Sequence, residues 1–210
     1  IVYDSAFDYS RGNSIKNCKV KNATVSASED FYGITHNAYN APVIENCAVS
    51  GSFFAGDDFA GIAYEAKGGV TIRGCSVSGD LYADSTSYGI CYEFGEYGEE
   101  DEQNVMAGCS VALNAWVDDS FFGLTEYTNG DSTTTNCHVS GTFYIDSEFC
   151  GLMEYLYDGG AVQDCSVRGK VYANTMLGGM DEIKGAEDSD RAAKITRVQV
   201  DLTAYAFSSI

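Results

Sequence analysis

Residues 43–53 read VIENCAVSGSF, and nearly the same sequence returns as TIRGCSVSGDL from Thr71 and as TTTNCHVSGTF from Thr133. In each copy apolar and polar residues alternate around a cysteine, which is the pattern of a β-strand with one buried face. A strand sequence that returns at a regular interval indicates a repeat architecture. The length of that interval then limits which repeat fold is possible.

The repeated cysteine defines a unit of about 28 residues. The cysteine positions are Cys18, Cys47, Cys75, Cys109, Cys137 and Cys165, with Val198 in the seventh place. Their separations are 29, 28, 34, 28, 28 and 33 residues. A glycine followed by an apolar residue marks each unit a second time, at Gly33, Gly61, Gly89, Gly123, Gly151 and Gly179. The apolar residue follows the cysteine by 15 positions in every unit except the first, where the count is 16.

Every third unit carries an insertion, located between the glycine marker and the next cysteine. The chain is therefore also a longer repeat of about 90 residues, with copies at 1–89 and 90–179 and a partial copy at 180–210. We predict a single domain spanning 1–210 that is a segment of a longer repeat protein.

The unit length and the strand pattern together predict the fold. A β-propeller blade needs about 40 residues, and helical periodicity is absent. We expect an all-β protein, namely a parallel β-helix (β-solenoid) of about seven coils of 28 residues. The helix should be right-handed, because crossover connections are overwhelmingly right-handed. Equivalent residues would then stack at a spacing of about 4.8 Å.

Stacked coils would align the repeated cysteines as a ladder. Cysteine is small and often buried, so we predict reduced thiols in the core, with disulfides or metal ligation as the alternatives. Zinc sites use paired spacings such as C-x-x-C, which this sequence lacks. Cys91 and Cys150 lie outside the ladder on coils two apart, too distant for a disulfide.

The charge balance excludes several classes of partner. The chain has 31 acidic residues against 12 Lys and Arg, which gives a net charge of -19. Such a charge repels nucleic acid and anionic lipid surfaces. No apolar segment approaches the length of about 20 residues that a membrane helix needs, so we predict no membrane insertion.

The units resemble the GLUG-motif repeats of bacterial surface and secreted proteins. The matching residues of one unit are Gly61, Ile62, Gly69, Ile72, Cys75 and Gly79. The Asn that precedes cysteine in that motif is present at Asn17, Asn46 and Asn136. The resemblance implies an extracellular or cell-surface bacterial protein, often a large adhesin or a surface-attached enzyme whose repeats form a non-catalytic stalk, and it supplies no active site.

Acidic residues recur about ten positions after the cysteines. The candidate calcium ligands are Asp57, Asp58, Asp84, Asp118, Asp119 and Asp146. Stacked carboxylates repel unless they are solvated or bridged by a cation, and hard oxygen ligands suit calcium. The alternative is a set of solvated turns in which Asp bonds to the local backbone. No cofactor is required by any motif, and calcium is the one candidate.

An aromatic column is predicted seven residues after each cysteine position. Val25 occupies this place in the first unit, and the candidate binding residues that follow are Phe54, Tyr82, Trp116, Tyr144, Tyr172 and Tyr205. Strand alternation directs these side chains outward if the cysteines point inward. The column is either a ladder that stabilises neighbouring coils or a binding surface for a glycan or a protein.

These features predict a structural and adhesive protein, namely a surface stalk, an adhesin or a filament subunit. Its partners would be a glycan, a protein surface or further copies joined end to end or laterally. The alternative is a polysaccharide-active β-helix enzyme, either a glycoside hydrolase or a lyase, or its carbohydrate-binding accessory domain. We expect no enzyme, because the acidic column lacks a basic residue and His36 and His138 have no recognisable nucleophile partner.

Overall fold

The chain coils as a β-solenoid. A computed structural model describes residues 2–4, 13–95, 103–157, 159–176, 178–183 and 192–206. These residues form strands and turns without a helix, so none of the described part is a helix that could span a membrane. The predicted all-β parallel solenoid is confirmed. It has about six complete turns rather than seven coils, because seven strands along one face enclose only six circuits.

Each circuit of the chain is called a rung. A rung passes through four strand positions, which we call faces A, B, C and D. Face A contains Val2–Asp4, Thr35–Ala38, Ala63–Ala66, Glu93–Phe94, Thr125–Thr128, Met153–Leu156 and Met180–Ile183. Face B contains Ser14–Lys16, Val43–Glu45, Thr71–Arg73, Asn104–Ala107, Ser132–Thr135, Ala161–Gln163 and Lys194–Thr196.

Face C carries the cysteine-centred sequences. Its strands are Lys19–Ala27, Ala48–Ala55, Ser76–Ala83, Ser110–Val117, His138–Cys150, Ser166–Met176 and Gln199–Ala206. Face D is short and contains Phe31–Tyr32, Phe59–Ala60, Ser87–Tyr88 and Phe121–Phe122. In the fifth and sixth rungs the face C strand extends through the face D position. The insertions fall between faces A and B, largely outside the described residues.

Neighbouring rungs pair in register, so equivalent residues form continuous columns. Val77, for example, pairs with Val49 in one neighbour and with Val111 in the other. The additional residue of the first unit lies in a bulge between Val20 and Ala23. A second irregularity lies between Ile145 and Glu148.

The second irregularity changes one of the glycine markers. Phe149 pairs with Met176 and Met153 pairs with Met180, which places Gly151 opposite Gly178. The alignment of Gly179 with Gly151 was therefore wrong by one residue. The sixth rung has one residue fewer than the fifth between its cysteine and its glycine marker.

The cysteines form a ladder of free thiols along the inside of the solenoid. All eight cysteines are free, and each one except Cys18 is buried. The Sγ of Cys75 lies 3.5 Å from the carbonyl oxygen of Arg73 and 3.7 Å from that of Ile44 in the preceding rung. The same paired contacts recur at Cys109, 3.7 Å from each carbonyl. A thiol fits this column because it packs as an apolar group and is also a weak donor.

The residue before each cysteine position turns the chain from face B to face C in the left-handed conformation. The φ angles lie between 52° and 62° at Asn17, Asn46, Gly74, Gly108, Asn136, Asp164 and Arg197. Glycine, Asn and Asp adopt this conformation at low cost, which explains why they fill all but the last of these positions. The Asn that precedes three of the cysteines thus has a backbone role.

At two inward positions on face C, the large and the small residue swap places between the fourth and fifth rungs. The fifth rung combines Gly141 with the buried ring of Phe143, whereas the fourth combines Leu113 with Ala115. A Cβ on Gly141 would overlap the carbonyl oxygen of Leu113. The large residue therefore occupies the other of the two positions in the fourth rung, which keeps the interior filled.

Replacing Gly108 tests the left-handed turn without a packing change. Its φ is 62°, and the nearest atom to an added Cβ is the Gly74 nitrogen at 4.0 Å. We expect Gly108→Ala to reduce the free energy of unfolding by about 1 kcal/mol, because a non-glycine residue is strained there. Gly108→Asn is the matched control and should cost less. Urea unfolding measures both, and equal losses would contradict the conformational explanation.

Thiol labelling tests the ladder. Burial raises the pKa of Cys47 and Cys91, and raises that of Cys150 to about 12. We expect a maleimide reagent to modify Cys18 first in the native protein and the remaining thiols only after unfolding. Mass spectrometry of the labelled protein measures this order. Rapid native labelling of Cys75 or Cys109 would show that the ladder opens to solvent.

Candidate functional site

The candidate aromatic residues lie in one column on the outside of face C. Tyr82 pairs with Phe54 on one side and with Trp116 on the other. The residues that flank Tyr82 in its strand, Leu81 and Ala83, are buried, whereas Tyr82 itself is 46% exposed. The pairing continues in register from Trp116 to the last described rung.

Five rings of this column stack directly on one another. The successive centroid distances from Tyr82 through Trp116, Tyr144 and Tyr172 to Tyr205 are 4.7, 5.4, 4.7 and 4.7 Å. Adjacent ring planes differ by only 5° to 9°. Each inner ring therefore has a neighbour on both faces. The edges of these rings are what solvent or a partner can reach.

The first rung does not contribute Val25 to this column. The bulge in Lys19–Ala27 places Val25 opposite Phe53, whose side chain is buried, and places Ser26 opposite Phe54. A single added residue reverses which side chains face inward. The assignment of Val25 to the exterior column was therefore wrong.

The acidic candidates occupy three adjacent columns between faces C and D rather than one; Asp146 lies in the extended strand His138–Cys150 and the others lie in turns. Asp119 accepts a bond from Ser120 in its own turn at 3.2 Å and one from Thr86 in the preceding rung at 3.1 Å, and the amide of Asp58 donates to Asp30 in the preceding rung at 3.2 Å. Among the described residues, no three His, Cys, Asp or Glu side chains are arranged to hold a metal ion. Calcium binding by these turns stays a prediction.

A further surface lies where face D of one rung turns into face A of the next. Glycines form this corner, and a Cβ on Gly89 would overlap the carbonyl of Gly123 and lie 2.9 Å from Val111. The outward columns on either side of the corner converge. We call this surface the tyrosine groove. Its floor on face D is formed by Tyr32, Ala60, Tyr88, Phe122 and Cys150, and its wall on face A by His36, Tyr64, Tyr92, Glu126 and Glu154.

Aromatic rings fill one part of the groove. The wall rings of His36, Tyr64 and Tyr92 stack with centroid distances of 5.4 and 4.9 Å. Tyr88 crosses from the floor to Tyr92 with centroids 5.1 Å apart, and it stacks on Phe122 at 5.9 Å. Floor residues such as Tyr88 and Phe122 are therefore buried although they lie outside the solenoid core.

The character of the groove changes at the next rungs. Along the wall, the register places Glu126 after Tyr92 and Glu154 after Glu126. Along the floor, Cys150 follows Phe122. Aromatic rings continue beside these carboxylates: the ring centroids of Tyr92 and Tyr127 are 5.5 Å apart, and Tyr127 stacks on Tyr155 at 5.1 Å.

Glu126 has an altered acidity in the wall column. Its pKa is raised from 4.5 to about 7, mainly by burial and also by the nearby Glu154 and Asp58, against hydrogen bonds from Tyr127 and Tyr88 that lower it. Burial also raises the pKa of Tyr64 to about 12. Glu126 therefore exchanges its proton near neutral pH.

Comparison with protein-family models, with curated proteins and with solved structures found no match. The GLUG resemblance accordingly stays a prediction.

The sequence contained a signal for the groove. The residue before each corner glycine is often aromatic, as at Tyr32, Tyr88 and Phe122, and the third residue after the glycine is aromatic or acidic, as at Tyr92 and Glu126. The corner brings these two positions together, so aromatic or acidic residues that recur at both positions in successive units indicate a shared surface. His36, which had no apparent partner in the sequence, belongs to it.

The protonation of Glu126 predicts an unusual dependence of stability on pH. A carboxyl with a raised pKa binds its proton more tightly in the native state, so its contribution is complete below 4.5 and is lost as the pH rises through about 7. Glu126→Gln should remove this loss over that interval. Urea unfolding at several pH values compares the two proteins, and an unchanged pH profile in the variant would contradict the assignment.

Proposed function

We propose that the chain is an extracellular structural and adhesive repeat protein of bacterial type, which serves as a surface stalk, an adhesin or a filament subunit. The observation that carries this proposal is the stack of five rings from Tyr82 to Tyr205 on the outside of face C. An apolar strip along a regular rod suits contact with another elongated surface. The GLUG resemblance supports the same interpretation.

The stacking favours a protein partner at this strip. Sugar rings pack against the faces of aromatic side chains, and here the neighbouring rings of the column cover those faces. Ring edges and small polar side chains remain, such as Asn114, which donates to Asp80 at 3.0 Å. A flat strip of this kind is complementary to the same strip on a second copy. We therefore propose lateral packing of face C against face C.

Removal of the rings tests lateral packing. Tyr82→Ser, Trp116→Ser and Tyr144→Ser combined should abolish bundling while the solenoid stays folded, because these side chains lie outside the core. Bundling of the parent protein should increase with salt, since the net charge of -19 opposes association. Sedimentation and electron microscopy measure both effects.

A matched control changes three outward positions on the same face without altering the rings: Ser78→Ala, Ala112→Ser and Ser140→Ala. This variant should bundle as the parent does. Undiminished bundling of a folded triple Ser variant would exclude the aromatic column of face C as the contact.

Glu126 supports a second candidate function, a polysaccharide-active enzyme. Glycosidases use two carboxyl groups with different pKa values, one protonated and one ionised. Glu126 and Glu154 are adjacent in the wall column, and the pKa of Glu126 is about 7. Incubation with a panel of polysaccharides, with detection of reducing ends and unsaturated products, tests this candidate. Product that disappears in Glu126→Gln would establish it and displace the structural proposal.

A further inference from the structure

We propose that two copies of the chain pair through face C with their solenoid axes antiparallel, so that Asp80 of each copy lies opposite Lys170 of the other. The inference rests on the lateral packing proposed above. It goes further by fixing the orientation of the two copies, the size of the assembly and the residues that select the partner. Two observations carry it: the distribution of charge over the molecule and the order of side chains along face C.

Face C carries little of the negative charge of the molecule. Between the cysteine ladder and the aromatic column, its charged residues are Lys19, Lys21, Asp80, Arg168, Lys170 and Asp201, all of them exposed or half-buried. All but two of the 31 acidic residues of the chain therefore lie elsewhere. The other surfaces of two molecules that each carry a net charge of -19 repel each other, whereas face C can approach a second face C without that cost.

One polar column of face C is complementary to itself when its order is reversed. It lies two residues before the aromatic column, and its side chains point outward because the residues that flank it, such as Leu81 and Val171, are buried. In successive rungs it reads Ser52, Asp80, Asn114, Thr142, Lys170 and Thr203. Reversal about its midpoint places Asp80 opposite Lys170 and pairs small polar side chains at the remaining positions.

The aromatic column has the same midpoint. Its six rings run in register from Phe54 to Tyr205, with Trp116 and Tyr144 on either side of the centre. A two-fold axis that runs parallel to the strands at this level sets each outward column against itself and reverses the order of the rungs. All six rings of one molecule then lie opposite the six rings of the other, while Asp80 meets Lys170.

A parallel pair is less complementary. Two solenoids that pack face to face with parallel axes are related by a two-fold axis along the solenoids, which reverses the strand direction. With the aromatic columns opposed, this arrangement places Asp80 opposite Asp84 and Asn114 opposite Asp118, because each pair is symmetric about the ring between them. With the polar columns opposed instead, Asp80 meets Asp80 and Lys170 meets Lys170. Like charges that face each other across an interface disfavour both arrangements.

The area of face C is sufficient for a stable pair. Strands of eight residues at about 3.3 Å per residue, in six rungs at about 4.8 Å, give each molecule a contact area of about 750 Å². Specific protein pairs bury about 800 Å² per partner. Because both molecules use the same face, the contact is isologous and closes at two copies. The bundling attributed to face C is therefore a pairing of two solenoids.

Exchange of the two charges tests the orientation. Asp80→Lys and Lys170→Asp should each weaken self-association of the full chain at least about tenfold, because each change opposes like charges twice in the symmetric pair. An equimolar mixture of the two variants should pair about as tightly as the parent protein, because each variant then meets the opposite charge in its partner. Sedimentation equilibrium at about 0.15 M salt, where charges more than about 8 Å apart are largely screened, measures these samples.

Matched controls make the same changes of charge away from the contact. Asp181→Lys lies on face A and Lys194→Asp on face B, and both residues are exposed. They should change self-association less than about threefold, because screening weakens the effect of distant charges. The two face C variants shift the net charge in opposite directions. A loss of pairing in both, with recovery in the mixture, therefore cannot result from net charge.

The possible failures are distinguishable. A parent protein that stays monomeric would overturn lateral packing, and the antiparallel pair with it. If the parent protein pairs and the triple Ser variant does not, lateral packing holds. In that case undiminished pairing of either charge variant, or a mixture that does not recover, would overturn the antiparallel pair alone. Tighter pairing of Asp80→Lys would assign the parallel arrangement, in which residue 80 faces Asp84.

Discussion

Each residue of the paired strands contacts its own counterpart one rung away, and that constraint determines the composition of each column. The parallel ladders hold the rungs in register, so a side chain must be compatible with a similar side chain directly above and below it. Corner glycines satisfy the constraint because a Cβ at Gly89 would overlap the next carbonyl. Cysteine satisfies it inside, where each thiol packs in the core and also meets carbonyl groups.

The same constraint acts differently on the two exterior surfaces. Aromatic rings gain from stacking on themselves, so the column from Tyr82 to Tyr205 is continuous and its ring faces are mutually covered. Carboxylates repel their own kind, so in the column that continues as Glu126 and Glu154 the pKa of Glu126 is raised by burial and then further by its neighbour. Self-contact therefore stabilises the first surface, whereas it opposes the ionisation of Glu126 at the second.

The cysteine interval was sufficient to predict the architecture, because a column of identical residues is visible in the sequence. Inward and outward positions on face C followed from alternation around that cysteine. The misplacement of Val25 and Gly179 has a common cause: each depends on where one residue is gained or lost relative to a neighbouring rung, which leaves no compositional trace. The groove was missed for another reason. Its floor and wall are on opposite sides of a corner, and only the bend places Tyr88 beside Tyr92.

The orientation of the inter-rung hydrogen bonds has a mechanical consequence. These bonds run along the solenoid axis, so tension on the rod pulls directly against them. A rung that detaches releases its whole circuit, and a circuit of 28 residues extends to about 90–100 Å of chain. A stalk of this construction would lengthen in steps under load and absorb work at each step, with the increment set by the interval between successive cysteines.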